Sequence, residues 1–529
     1  TAVVIGWPVA YVFTHLFRLD TGQTWAHLTA TVLPEYLLNT LLLASAVAVG
    51  VVLVGVAVAW LTAMCDFPGR KVFEWALILP MAMPAYVLAY VYTDFLQFAG
   101  PLQSGLRAWF DWRKGDYGFP DVRSLSGAVG MFICVLYPYV YLMARTAFLE
   151  RASGMLEVAR TLGCGPWRSF FRLSLPLARP AIAGGASLAV METLADYGTV
   201  AYFGVPTFTT GIYRAWFSLG DRLAAAQLAA SLLTCIVLLL LLEQLTRGGA
   251  RFHDTTLRHR RLLGNRLQGW RAGLAALVCA LPLIFGFLLP AGLLMRLVLA
   301  DSETLLGEHF LRLASNSFLL AVLTAGLAVI LALLLAYGAR LSRNLLAPLL
   351  NRLVGLGYAV PGSVIAVGVL IPVTRLDQWL NSQWQTWFGN DPGLLLTGGI
   401  AALVYAYLVR FLAVALQSIV GGLSKITSNM DDAARGLGLS ALATLRRVHL
   451  PLLRGSVFTA ALLVFVDVMK ELPATLVMRP FDFDTLATQA FNLAADERLS
   501  EAAAVSLGIV VVGLLPLIAL SRQIARSRL

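Results

Sequence analysis

A chain of 529 residues that is 59% hydrophobic and only 13% charged carries more apolar surface than a soluble core can hide. Its formal net charge of +11 raises nucleic acid as a partner, but the basic residues are dispersed between apolar runs, and nucleic acid is set aside. What remains is an all-α polytopic membrane protein bathed in membrane lipid.

A spanning helix needs about 20 mostly apolar residues. Segments of that kind fall near 1–18, 39–64, 73–98, 125–149, 180–203 and 223–246, and again near 271–299, 316–341, 349–373, 394–420, 456–478 and 501–521. The expectation is about 12 transmembrane helices. Thr1 already lies inside an apolar run, so further residues are expected before it. The two sets correspond: Asn39-Thr40-Leu41-Leu42 matches Asn316-Ser317-Phe318-Leu319, and Pro84 matches Pro361. An even number of helices per unit makes the repeats parallel. The chain divides into a first repeat, 1–246, a basic linker, 247–270, and a second repeat, 271–529. Lys and Arg gather in alternate loops, which places the N-terminus, the linker and the basic loops at 150–179 and 421–455 in the cytoplasm. The linker's arginines read as an anchor near anionic lipid, with a regulatory contact as the other reading. The five cysteines and six histidines are scattered and form neither a disulfide framework nor a metal cluster.

The two basic loops are one motif written twice. Residues 157–176 read EVARTLGCGPWRSFFRLSLP and residues 432–451 read DAARGLGLSALATLRRVHLP. Glu157, Ala159, Gly163, Leu175 and Pro176 map at a constant shift onto Asp432, Ala434, Gly438, Leu450 and Pro451, with Ala433 beside them. Each copy starts with an acid and an Ala-rich helix. A Gly then turns the chain. A basic amphipathic stretch follows, and Leu-Pro is expected to close it and start the next span. Such a stretch alone reads equally well as a helix lying on the membrane surface. Two copies at matching places point to a paired docking surface in water.

The fifth segment of each half carries acids: Glu192 and Asp196 in the first, Asp467 and Glu471 in the second, four apart and so on one helical face. Twelve residues beyond Pro180, Glu192 lies about 18 Å into the bilayer. A carboxylate there costs about 2.5–3.5 kcal/mol on insertion scales, so all four are expected to face a wet pathway or partners. Gly198 and Pro473 follow at equivalent places, where both helices are expected to break. One reading makes the four acids a transient ligand set for a hard cation, with Tyr197 and Tyr202 adding to the lining. The other makes them structural, paired with Arg or Lys or holding a gate. Lys470 is the nearby cation, although its place beside Glu471 turns it to another face. Tyr137-Pro-Tyr-Val-Tyr141, echoed by Tyr405-Ala-Tyr407, reads as interfacial.

The twin motif resembles the EAA loop of ABC importer permeases. The whole chain resembles the fused, double-length permease of the ferric-iron ABC importers. Asp66-Phe-Pro-Gly-Arg-Lys71, Asp196-Tyr-Gly-Thr-Val200, Phe208-Thr-Thr-Gly-Ile-Tyr213, Lys470-Glu-Leu-Pro-Ala-Thr475 and Arg479-Pro-Phe-Asp-Phe-Asp-Thr485 carry that likeness. Asp432 stands for the usual Glu, Val158 for an Ala, and Gly455 where the first half has Pro180. The resemblance implies a bacterial inner-membrane permease of type I fold that imports ferric iron by alternating access. It also implies docking of an ATPase dimer that holds ATP and magnesium, and delivery by a periplasmic iron-binding protein to the outer loops at 99–124, 203–222, 374–393 and 479–500. No covalently bound cofactor is expected, and no enzymatic activity. A P-loop needs Gly-Lys-Ser/Thr, and none of Lys71, Lys114, Lys425 and Lys470 follows a glycine. Fused thiamine and phosphonate permeases share the architecture. Residues 66–71 also look like the loop signature of proton-coupled secondary transporters, but Tyr337-Gly-Ala-Arg-Leu-Ser-Arg343 does not repeat it.

Overall fold

The computed structural model describes residues 2–15, 23–113, 115–161, 165–247, 265–300, 307–342, 344, 346–424 and 426–526. Among the described residues, regular structure is helical, apart from a parallel pairing of Cys65–Asp66 with Asn265–Arg266 that ties the second segment's end to the chain after the basic linker.

Among the described residues, ten helices are long and apolar enough to cross a membrane. They are Leu33–Met64, Leu125–Leu149, Trp167–Ala195, Arg222–Leu242, Trp270–Ala300, Glu308–Leu341, Gly362–Phe388, Ala401–Leu423, Ala441–Met469 and Leu499–Pro516. Two of the twelve expected spans differ. The segment expected at 73–98 is two helical pieces, Arg70–Ala82 and Ala85–Phe110, bent by 91°. Pro84 is the cause. It lacks an amide hydrogen and drives extended backbone at the break, after the tight turn Leu79–Ala82. Pro361 makes the same kind of break before Gly362–Phe388, after the turn Gly357–Ala359. The segment expected at 1–18 is described as the helix Ala2–Thr14, whose 13 residues fall short of the ~20 a span needs.

The halves repeat in their hydrogen bonds as well as their spans. Asn39 Nδ2 donates to the Pro206 carbonyl at 3.0 Å, and Asn316 Nδ2 donates to the Asp484 carbonyl at 3.0 Å. The next residue of each pair accepts from the backbone beside it: Phe208 N to Thr40 Oγ1, and Leu486 N to Ser317 Oγ. Thr207 and Thr485 then start short helices with capping boxes. Small residues let the spans approach closely. A β-carbon on Gly185 would lie 2.8 Å from Val140 Cα, and one on Gly55 2.7 Å from Val140 Cβ. The aromatic run is not interfacial. Tyr137 and Tyr141 are fully buried and donate to the Leu77 and Glu74 carbonyls, because the broken third segment leaves backbone oxygens without helical partners.

Candidate functional site

The twin loop of the second half is built from the helix Ser428–Gly436, a left-handed Gly438 (φ 77°), and the helix Ala441–Thr444, whose cap Ser440 accepts from Ala443 N at 3.3 Å. A side chain would strain that backbone, so the expected glycine turn is present. Leu-Pro does not end the amphipathic stretch. The helix runs unbroken from Ala441 to Met469, through a π-helical turn at Leu445–His449 just ahead of Pro451. The first half repeats this, with a π-helical turn at Phe170–Ser174 ahead of Pro176. Proline's ring clashes with the carbonyl four residues back, and the wider turn removes that clash without a break. Leu175 and Leu450 lie at this junction, partly buried. Gly163 is outside the described residues, as are the side chains of Glu157 and Ala159.

Asp432 and Ala433 are exposed, and Asp432 meets Arg435 at 3.6 Å. Ala434 is buried. The acid engaged by the fold is Asp431, one residue earlier and on the same face as Ala434. Arg340 Nε donates to its Oδ2 at 2.8 Å, and His449 Nε2 lies 2.6 Å from its Oδ1. Arg340 also donates to the Leu423 and Ile426 carbonyls, both at 2.8 Å. Burial pushes the Asp431 carboxyl up, but the hydrogen bonds from Arg340 and His449 win and hold it below the usual carboxylate range. Trp167 and Leu442, equivalent positions in the two copies, are both exposed, at 72% and 57%.

The four membrane acids all line one cavity of ≈ 120 Å³, with Tyr86, Tyr139, Tyr358, Arg410 and Lys470. The helices break as expected. Leu175–Ala195 ends at Asp196, and Leu450–Met469 ends before Glu471. The two break-point acids then start the short helices that follow. Asp196 accepts from Thr199 N at 2.8 Å and Thr199 Oγ1 at 3.1 Å. Glu471 accepts from Ala474 N at 3.0 Å, Thr475 N at 3.1 Å and Thr475 Oγ1 at 2.7 Å. Their negative charge therefore faces positive helix ends.

The other two acids meet cations. Asp467 pairs with Lys470 at 3.0 Å, so Lys470 turns into the cavity and not away from it: three residues apart in a helix is one face. Glu192 lies 3.9 Å from Arg410 Nη2, while Arg410 Nη1 holds Glu471 at 3.2 Å. Arg410 is the charged cavity residue that the sequence reading missed. Its signal was an arginine inside a 23-residue apolar helix, as costly there as any acid. Tyr197 is not in the lining. It stacks on Tyr213, with ring centroids 3.6 Å apart. Tyr202 sits under Arg123, 5.0 Å from its guanidinium. Among the described residues, no three His, Cys, Asp or Glu side chains come close enough to hold a metal ion, so the four acids are not a preformed chelate.

Gly362 permits the close approach of these charges. A β-carbon there would lie 2.5 Å from Glu471 Oε1 and 3.1 Å from Arg410 Nη1. Gly362→Ala is expected to destabilise the folded protein by about 2 kcal/mol through overpacking, read as a lowered thermal midpoint in detergent. An unchanged midpoint would mean that the cavity wall yields.

A family model described as "binding-protein-dependent transport system inner membrane component" matches residues 29–248 and 328–528, once in each half. The chain is 26% identical to the Fe(3+)-transport system permease protein FbpB 2 of Haemophilus influenzae, over 97% of this chain and 95% of the relative. It is 23% identical to the ferric transport system permease protein FbpB of Actinobacillus pleuropneumoniae, over 96% of this chain and 74% of the relative. The molybdenum transport system permease protein ModB of Escherichia coli is 32% identical over 36% of this chain and 84% of its own length.

Proposed function

We propose, for a chain that belongs to the family of binding-protein-dependent transport system inner membrane components, that it is the membrane pathway of an ATP-driven importer of ferric iron. It is a multi-pass inner-membrane protein, and both family matches lie in one polypeptide. The observation that carries the reading is the convergence of four carboxylates, two from each half, on one central cavity. Hard trivalent cations favour such oxygen donors, and two relatives matched over nearly all of this chain are named for ferric transport. In this reading residues 1–246 and 271–529 are two half-channels joined by the linker 247–270. The loops 150–179 and 421–455 face the cytoplasm and seat a separate ATPase dimer, which holds ATP and magnesium. Trp167 and Leu442 are the apolar knobs of the two seats. A periplasmic iron-binding protein delivers cargo from outside. ATP-driven closure of the dimer moves both loops, and the continuous helices above them carry that motion to the acids.

Arg410 and Lys470 support a second reading, an oxyanion cargo, and one relative is named for molybdenum transport. Both cations already face carboxylates, which weighs against it. The test is uptake into proteoliposomes holding this chain with the ATPase and binding protein encoded beside it. Ferric uptake that requires ATP and survives collapse of the proton gradient is expected. Uptake of molybdate, thiamine or 2-aminoethylphosphonate in place of iron would overturn the cargo, and uptake driven by the proton gradient would overturn the mechanism.

A further inference from the structure

The cavity holds four carboxylates and two cations, and the cations break the repeat. Glu192 and Asp467 are equivalent positions, as are Asp196 and Glu471. Lys470 has no counterpart, because the equivalent residue, Ala195, lines the same cavity without charge. The first-half span Leu125–Leu149 contributes Phe132, Val135, Leu136 and Tyr139 to the wall, again with no cation, where the second-half helix Ala401–Leu423 contributes Arg410 and Phe411. Both cations are thus supplied by one half to acids from both.

The acids divide by how firmly they are held. Asp196 and Glu471 cap helices through several donors each. Glu192 and Asp467 are given no such cap. Glu192 is the most exposed of the cavity's three ion-paired acids, at 26%, and its pairing with Arg410, at 3.9 Å, crosses between the halves. Arg410 is 7% exposed, and its Nε has no hydrogen-bond partner among the described residues. Its guanidinium is fixed at one end by Glu471 and only loosely engaged at the other.

We propose that Arg410 and Lys470 are resident counter-cations, which neutralise Glu192 and Asp467 in the empty transporter and set the charge a cargo must carry to displace them. This rests on the reading of the cavity as a metal-cation pathway. A tethered cation sits beside its acid at high effective concentration. A free potassium or sodium ion carries the same single charge and gains nothing by exchange. A multivalent cation gains Coulomb energy from each acid it takes over, and more so in a water-poor cavity. The tethered pair therefore excludes abundant monovalent ions and admits a small, highly charged one. When the halves rock apart, the Glu192–Arg410 pairing is the one that opens, since Arg410 stays with Glu471 in its own half.

The experiment is potassium permeability of proteoliposomes carrying the whole complex, read as decay of a potassium diffusion potential, alongside ATP-driven ferric uptake. Arg410→Gln is expected to raise potassium leak about tenfold, the equivalent of one lost pairing of about 1.4 kcal/mol. Arg410→Gln combined with Glu192→Gln is expected to be tight again, because the loosely held acid that would take up potassium is gone while Glu471 keeps its helix-cap donors, and a purely structural arginine would not be rescued in this way. Lys470→Gln, at a more exposed position, asks the same of Asp467 and serves if the arginine variant fails to accumulate. Wild-type tightness in Arg410→Gln and Lys470→Gln, or a leak that persists in the double variant, overturns the proposal. Wild-type complex that carries no iron overturns the cargo reading instead, and leaves the leak and its rescue as an independent result.

Discussion

Glu192→Gln together with Asp467→Asn is expected to reduce ferric uptake at least about 100-fold while ATP hydrolysis stays responsive to the loaded binding protein. The side chains nearly keep their shape, so the cavity wall stays packed. What changes is charge. The cavity's four acids become two, both occupied as helix caps; Lys470 is left facing a neutral amide and Arg410 keeps only Glu471. A hundredfold effect corresponds to about 2.7 kcal/mol. A single charge at about 4 Å is worth roughly 4 kcal/mol at an effective dielectric of 20, so losing two leaves room for screening. The loops proposed to seat the ATPase dimer lie at the other end of the same helices and are untouched. Uptake measured beside ATPase activity decides the matter: normal uptake removes the acids from the pathway, and a joint loss of both activities assigns them to the fold.

Arg340→Gln is expected to uncouple the loop 421–455, if that loop seats the ATPase dimer as proposed. Arg340 bridges its helix, Glu308–Leu341, to the Leu423 and Ile426 carbonyls and to Asp431, three contacts that fix where Ser428–Gly436 emerges. Gln cannot span them, and Arg340→Lys is expected to fail almost as badly, because a single ammonium does not reproduce a planar fork. Removing one partner of a pair this sheltered destabilises by about 2–3 kcal/mol, below the range for fully buried pairs because both side chains keep some exposure. Iron transported per ATP should fall about tenfold. Unchanged stoichiometry with unchanged stability would make the latch ornamental. The same triad predicts a pH effect. The Asp431 carboxyl is held below its ordinary value, 3.8. Its contribution is therefore complete above that value and is lost as pH falls through the lower, folded one. Acid unfolding of Asp431→Asn should lack that component.

Composition and periodicity were enough to read the membrane class, the duplication and the acid pairs, because each is written as a local pattern that tertiary contacts do not overrule. The broken third segment was half legible. Pro84 and Pro361 were visible as a repeated pair, but hydropathy alone runs straight through the bend. The acid that the fold itself engages in the second loop, Asp431, was not singled out. Matching to the first copy selects Asp432, whereas helical facing toward buried Ala434 selects Asp431. Arg410 escaped because the reading followed residues that repeat, and Arg410 is a residue that does not. Tyr197 was placed by nearness in sequence, and the break after Ala195 turns its ring toward Tyr213 instead.

That lack of repetition has a consequence for how the chain must be inherited. A channel made from two copies of the first half would bring four acids and no cation to its centre, and one made from two copies of the second would bring four of each. Neither reproduces the balance seen here. Only the joined, unequal pair places two tethered cations among four acids, so the two halves can no longer be exchanged for one another. Expressing them as separate polypeptides should therefore restore transport only when both are present.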